Sequence, residues 1–373
     1  MNKSARLFRL FGIDVRIHFS WWFVFILMSW SLATSYFPQI YPGFTTNMYW
    51  GFGIVSALLL FISVLLHELS HSLVARAKKI KVESITLFFF GGVAGITKED
   101  IKPSTEFFMA IAGPLFSFFL AGTFYLISLW NVHLLVTPVV SYLAQLNLVL
   151  AIFNLIPGFP LDGGRAFRAL LYGYYKDLRK ATKIASSVGK FFAAVLIILG
   201  FFSLFSGVGN GLWFILLGGF LYFIAGMSYE QVVIRQSLVD IMVKDLVVKR
   251  VSFVDGNIFV ADFLRDYAYS EEESFLVKCD DFFGVFDIRT LPQSYSLSGV
   301  LRLKQVAVPL EKIKTISLKE NAYDAFHLFS ASLSNFIPVM EKGKFMGIVT
   351  RRKVMSCLLW KARFGAGSLK KNV

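Results

Sequence analysis

The stretch that most limits what this chain can be is residues 50–66, WGFGIVSALLLFISVLL, an uncharged run that ends in His67-Glu68-Leu69-Ser70-His71. About 20 apolar residues in a helix cross the hydrocarbon core of a bilayer. Ionisable groups inside such a helix are costly and mark function by default. Two histidines four apart share one helix face, so one metal ion can bind both. Glu68 between them is placed to act as a base on a metal-activated water. Lipid-like surroundings and metal-ligand chemistry therefore meet in one helical turn.

The remainder of the chain fits a membrane setting. Of 373 residues, 56% are hydrophobic and 17% charged, against about 25% charged in a soluble domain, and mean hydropathy is +0.62. A formal net charge of +14 would suit nucleic acid, but the Lys and Arg flank apolar runs in short stretches. That is the positive-inside pattern, whose natural counter-charge is anionic lipid headgroups, and no nucleic-acid partner is expected. Cys279 and Cys357 lack metal-ligand spacing and give no disulfide framework. No small-residue cleavage site follows the first apolar run.

Six spans are predicted, at about 17–37, 50–75, 105–130, 138–156, 188–205 and 212–229. The segments 38–49 and 131–137 contain no Lys or Arg and read as outer loops. Residues 1–16, 76–81 and 165–183 are basic and read as cytoplasmic, which puts both termini inside a cell membrane. The alternative for the last two spans, joined by SGVGNG, is a re-entrant hairpin. Residues 81–100, KVESITLFFFGGVAGITKED, are too short for another span and read as a β-hairpin or re-entrant loop. Its strand edges must lie against protein or at the interface, because open edges cannot face lipid.

A catalytic zinc site needs a third protein ligand and an open position. The other candidates are His18, His133, His327 and the acids. His133 falls on the outer side and His327 in the polar C-terminal third. Asp162 stands out, in Asn154-Leu155-Ile156-Pro157-Gly158-Phe159-Pro160-Leu161-Asp162-Gly163-Gly164-Arg165, where Pro157 breaks the fourth span. Depth supports the pairing: His67 lies roughly 22 Å and Ile156 roughly 26 Å down a core of about 30 Å, both from the outer side.

HELSH, FGGV (90–93), AGP (112–114) and NLIPGFPLDGGR (154–165) together resemble the site-2 protease family of intramembrane zinc metalloproteases, over about residues 10–230. The resemblance implies one catalytic Zn2+ held by His67, His71 and Asp162, with Glu68 as general base. It places Asn154 near the substrate backbone or the oxyanion, with Asn147 a second candidate; both also read as interhelical hydrogen-bonding residues. The implied substrate is a transmembrane segment of a membrane-anchored regulatory protein, such as a membrane-held anti-sigma factor or a signal-peptide remnant. The 81–100 hairpin would offer a strand edge to the unwound substrate or plug the mouth of the site.

Composition shifts near residue 237. Residues 237–362 read as two similar α/β halves, about 237–295 and 305–362, after a membrane-embedded domain at 1–232 and before a basic tail at 363–373, disordered from Ser368 to Val373. The first half opens at Val239-Asp240-Ile241-Met242 and pairs 274–277 with 284–287; the second opens at Val308-Pro309-Leu310 and pairs 336–339 with 347–350. The halves resemble a tandem pair of CBS domains, which implies an adenosine nucleotide in the cleft between them. Of that family's G-x-x-[ST]-x-x-D contacts the second half keeps Gly347 and Thr350 but has Lys353 in place of the acid. Lysine can meet a phosphate but cannot accept ribose hydroxyl hydrogen bonds. A homodimerisation or substrate-docking module is the other reading of this region. The competing function for the whole chain is a CBS-gated transporter or metal channel without peptidase activity. It is disfavoured because the spans show no internal repeat and a transport site has no use for Glu68.

Overall fold

The computed structural model describes residues 4–89, 91–96, 101–130, 133–206, 209, 211–267, 274–280, 282–291, 301–332 and 334–364. The tail expected to be disordered, Phe90 of FGGV, the end of the 81–100 hairpin and part of SGVGNG lie outside them. The chain divides into two compact units, Met1–Tyr229 and Glu230–Val373.

The first unit opens with a hairpin that the sequence reading took only for a basic leader. Strands β1 (Ser4–Leu10) and β2 (Ile13–His18) are antiparallel. They join through Phe11 and Gly12, both at positive φ (48° and 76°), the backbone that a two-residue hairpin turn requires. A register shift between Arg6 and Phe8 breaks the period-2 alternation that would have revealed β1. Strand β2 runs parallel to β3 (Val82–Phe88), and β3 pairs antiparallel with β4 (Gly91–Ile96). The predicted hairpin is thus half of a four-stranded sheet, ordered β1-β2-β3-β4. Parallel strands need a long crossover, and here the first two spans supply it.

Those spans are α1 (Ser20–Ser31), continued through a π-helical segment Leu32–Tyr36 into α2 (Phe37–Ile40), and α3 (Thr46–Ala77). Then come α4 (Pro103–Leu129), α5 (Thr137–Asn154), α6 (Asp162–Tyr175), α7 (Leu178–Phe205) and α8 (Gly211–Leu238). Among the described residues six helical stretches are long and apolar enough to cross a membrane, and α6 is not one of them. Two bounds differ from expectation. Helix α7 starts at Leu178, ahead of the apolar run, because the Asp177 side chain caps it by accepting from the Lys180 amide at 3.0 Å. Helix α8 continues past Tyr229 to Leu238. One apolar core, Ile13, Leu69, Ala75, Ile80, Val82, Ile85 and Met109, packs the sheet against the end of α3 and the start of α4.

The second unit contains α9 (Val243–Leu246), β5 (Val254–Asp255), α10 (Val260–Asp266), β6 (Ser274–Lys278), β7 (Phe283–Asp287), α11 (Leu303–Val306), β8 (Val308–Pro309), α12 (Ala322–Ala331), β9 (Phe336–Glu341), β10 (Lys344–Thr350) and α13 (Arg351–Phe364). The expected pairs form: β6 with β7 and β9 with β10, both antiparallel. The leading segments, however, are exchanged between halves. Val308–Pro309 adds to β7 of the first half. The 239–248 segment joins the second half, where the Ala322 amide donates to the Ile241 carbonyl at 2.7 Å and Val248 bridges to Ile348. Each exchanged segment pairs a backbone edge that the other half leaves open, so the boundaries near 295 and 305 do not separate two self-contained folds.

Candidate metal centre

Helix α3 delivers His67 and His71 to the interior, with only 3% and 6% of their surface exposed. Their Nε2 atoms are 3.2 Å apart and lie 3.1 and 3.0 Å from Oδ2 of Asp162. Ligands on a tetrahedral ion with bonds of about 2.0 Å are about 3.3 Å apart, so the three atoms have the spacing of one face of such a site.

Their protonation points the same way. The Met109 carbonyl lies 2.5 Å from His71 Nδ1. A carbonyl only accepts, so Nδ1 carries the hydrogen and Nε2 of the neutral ring presents a lone pair. Ser117 Oγ sits 2.8 Å from His67 Nδ1 and can fix that ring the same way. Asp162 adds a carboxylate, whose other oxygen, Oδ1, lies 3.8 Å from Arg165 Nη1. Lone pairs converging at this separation repel one another unless a cation lies between them. There is also room for one. A Cβ built on Gly113 would collide with His71 Nε2 and come within 2.6 Å of His67 Nε2. The missing side chain of Gly113 therefore leaves free the space that an ion bound to both rings needs. Among the described residues this is the sole cluster of three or more His, Cys, Asp or Glu donors close enough to share a metal.

Asp162 arrives by a different route. Helix α5 ends at Asn154, the chain turns, and Leu161 in extended conformation (φ −74°, ψ 162°) caps α6, so Asp162 is the first helical residue. Side chains at the next two positions would strike backbone, Leu155 and Ile156 at Gly163, Gly158 and Phe159 at Gly164. The paired glycines let α6 start hard against the preceding loop. Sequence reading treated this region only as a basic stretch, because Gly-Gly argues against a helix.

Glu68 packs under β4. A Cβ on Gly92 would strike Glu68 Cγ and lie 3.1 Å from Cδ, so the second described glycine of FGGV is where a strand crosses the carboxylate. The asparagines go elsewhere. Asn154 Nδ2 donates to the Leu150 carbonyl at 3.0 Å. The fully buried Asn147 donates to the Leu143 carbonyl at 2.8 Å and to Ser63 Oγ at 3.3 Å, which ties α5 to α3 one turn from His67. Thr350 caps α13 through the Lys353 amide at 3.3 Å, in the second unit. His18, His133 and His327 bond or stack with Ser20, Leu135 and Tyr323, away from the cluster. Sequence reading missed Met109, Ser117 and the pair of buried Glu106 with half-buried Arg168. For Glu106 and Ser117 a signal was available, polar residues at helical spacing from AGP within an apolar run; the Met109 contact runs through a backbone carbonyl and leaves no such signal.

Comparison with known proteins bears on what this cluster does. Residues 55–135 and 131–197 match Peptidase family M50. A protein of Synechocystis sp. named "Putative zinc metalloprotease sll0528" is 31% identical over 96% of each chain. The chain belongs to peptidase family M50. The site-2 protease from Methanocaldococcus jannaschii, a solved structure, is 34% identical to the M50 chain and covers 61% of it and 95% of its own length, with a TM-score of 0.44. A solved CBS domain, NE2398, is 19% identical, covers 32% of this chain and 97% of its own, and has a TM-score of 0.28. This M50 protein is accordingly a membrane-embedded zinc metalloprotease, with six apolar helices, among the described residues, followed by an α/β unit.

Proposed function

We propose that this peptidase hydrolyses a peptide bond in or beside a transmembrane segment of a membrane-anchored regulatory protein. The observation that carries this reading is the convergence of His67, His71 and Asp162 on one point, with Glu68 beside it. The three residues hold one zinc ion, which supplies Lewis acidity toward the scissile carbonyl. Glu68, one residue from the first ligand, takes a proton from the attacking water and passes it to the leaving amine. Strand β4 ends the sheet order, so its far edge has no partner strand among the described residues. An unwound substrate adding to that edge would run past Gly92, and hence past Glu68. Helical substrate is unsuitable because its carbonyls are already hydrogen-bonded.

The second unit regulates this activity through an adenosine nucleotide, with Thr350 and Lys353 at the phosphate end; Lys353 is partly exposed beside the start of α13. The basic segments support an orientation with both termini on the cytoplasmic side of the cell membrane; reporter fusions at residues 42 and 235 that both scored cytoplasmic would overturn that orientation. Co-expression of the wild type and Glu68→Gln with single-span substrates tests the chemistry: cleavage is expected from the wild type alone. Equal cleavage by both would exclude Glu68 as the base. Zinc content tests the ligands separately, and full occupancy in His67→Ala would exclude the assigned set.

A further inference from the structure

Four features on one side of α4 have no place in the reaction itself, and three of them lie against the two histidines. The four are Glu106, the Met109 carbonyl, Gly113 and Ser117. At 100° per residue these positions fall within an arc of about 80°. Met109 and Ser117 bond the outer nitrogens of His71 and His67, and Gly113 leaves the space between the rings. Pro114 contributes as well: it lacks an N–H, so the Ala110 carbonyl has no donor at the usual helical position. That is the turn in which Met109 turns its carbonyl to an imidazole.

Glu106 acts at a distance. It is 4% exposed, in the first turn of α4, and accepts from Arg168 Nε at 3.0 Å and again from Arg168 Nη2. Arg168 lies on α6, six residues after Asp162. The Arg168 guanidinium also stacks 4.8 Å over the Phe159 ring, in the loop that delivers Asp162. One arginine thus pins both the helix that begins at Asp162 and the loop before it to α4, the helix that bonds the two histidines of α3. A buried ion pair is a weak source of stability but a strong constraint on geometry, and the planar fork of arginine sets orientation in a way that lysine cannot.

We infer that α4 is the template of the metal site, and that Arg168, held by Glu106, is a positioning residue that acts on zinc solely through Asp162. The inference rests on the zinc reading above. It predicts an energetic coupling that a merely structural ion pair would not produce. The experiment is a double-mutant cycle on the full-length protein in detergent, with the zinc dissociation constant read by competition against a chelator. Arg168→Gln should weaken zinc about 10- to 100-fold, the range for partners of metal ligands. In an Asp162→Ala background the same change should cost less than about threefold, since the residue it positions is gone. Ser117→Ala, acting through His67, should weaken zinc by the same factor in both backgrounds. Arg168→Lys should fall between Arg168→Gln and wild type, and it replaces Arg168→Gln in the cycle if that variant does not yield folded protein. An equal loss for the Arg168 variant with and without Asp162, or no loss in either, overturns the inference. Failure of the underlying reading looks different: zinc affinity would then be unchanged in Asp162→Ala and His67→Ala themselves.

Discussion

Gly113 shows how much a single absent methyl group decides. The three proposed ligands could be picked out in the sequence because their chemistry is written in residue type: HELSH sets two on one face, and Asp162 follows a broken span at matching depth. Gly113 was visible only as part of AGP, since no spacing rule says that a glycine must face two imidazoles. Gly113→Ala puts a methyl within 2.6 Å of His67 Nε2 and against His71 Nε2. The expected result is a folded bundle with zinc near zero by elemental analysis; full zinc occupancy would show that the ion sits elsewhere. The asparagines illustrate the opposite case. Each Nδ2 donates to a backbone carbonyl and that of Asn147 also to Ser63, a helix-bonding role that sequence cannot separate from a substrate role, because the same side chain serves both.

The elements divide along a physical line. Apolar runs of membrane length announce themselves, and α3, α4 and α5 begin and end within a few residues of where composition puts them. Elements that depend on context did not. Strand β1 is obscured by its bulge, α6 by the two glycines that its close start requires, and α7 by a charged first turn that only its Asp177 cap explains. Strand β4 matters most for function, because Gly92 abuts Glu68. Gly92→Ala should displace the carboxylate or the strand while leaving the ligands alone. Zinc content should stay at the wild-type level while cleavage falls on the order of 100-fold, within the span attributed to a general acid–base group. Zinc lost in step with activity would mean instead that β4 supports the ligands rather than the base.

For the molecule as a whole, the division into an apolar unit and an α/β unit was legible from the drop in hydrophobicity near residue 237, and the paired strands from their β-branched runs. The exchange of leading segments was not, because a short segment such as Val308–Pro309 satisfies either half equally well by composition. The consequence is that neither half of the second unit should fold without the other: a fragment ending near residue 300 lacks Val308–Pro309 on β7 and strands 239–248 without Ile348. Such a fragment is expected to show no cooperative thermal transition, and a sharp one would contradict the exchange. Binding of ATP or AMP to the full-length protein, followed by calorimetry, tests the nucleotide proposal. Lys353→Glu should weaken binding about tenfold or more by placing like charge against the phosphates, and identical titrations for the two proteins would remove Lys353 from the site.

The sequence distance between the ligands also constrains how the molecule is made. His67 and His71 precede Asp162 by 95 and 91 residues. At ribosomal rates of about 5–20 residues per second, roughly 5 to 20 s separate their synthesis. Their first partners, Met109 and Ser117, follow 38 and 50 residues behind. During that interval α3 must enter the membrane with two imidazoles and a carboxylate that nothing yet neutralises. The three donors can therefore come together only after α6 has been made and has closed on α4.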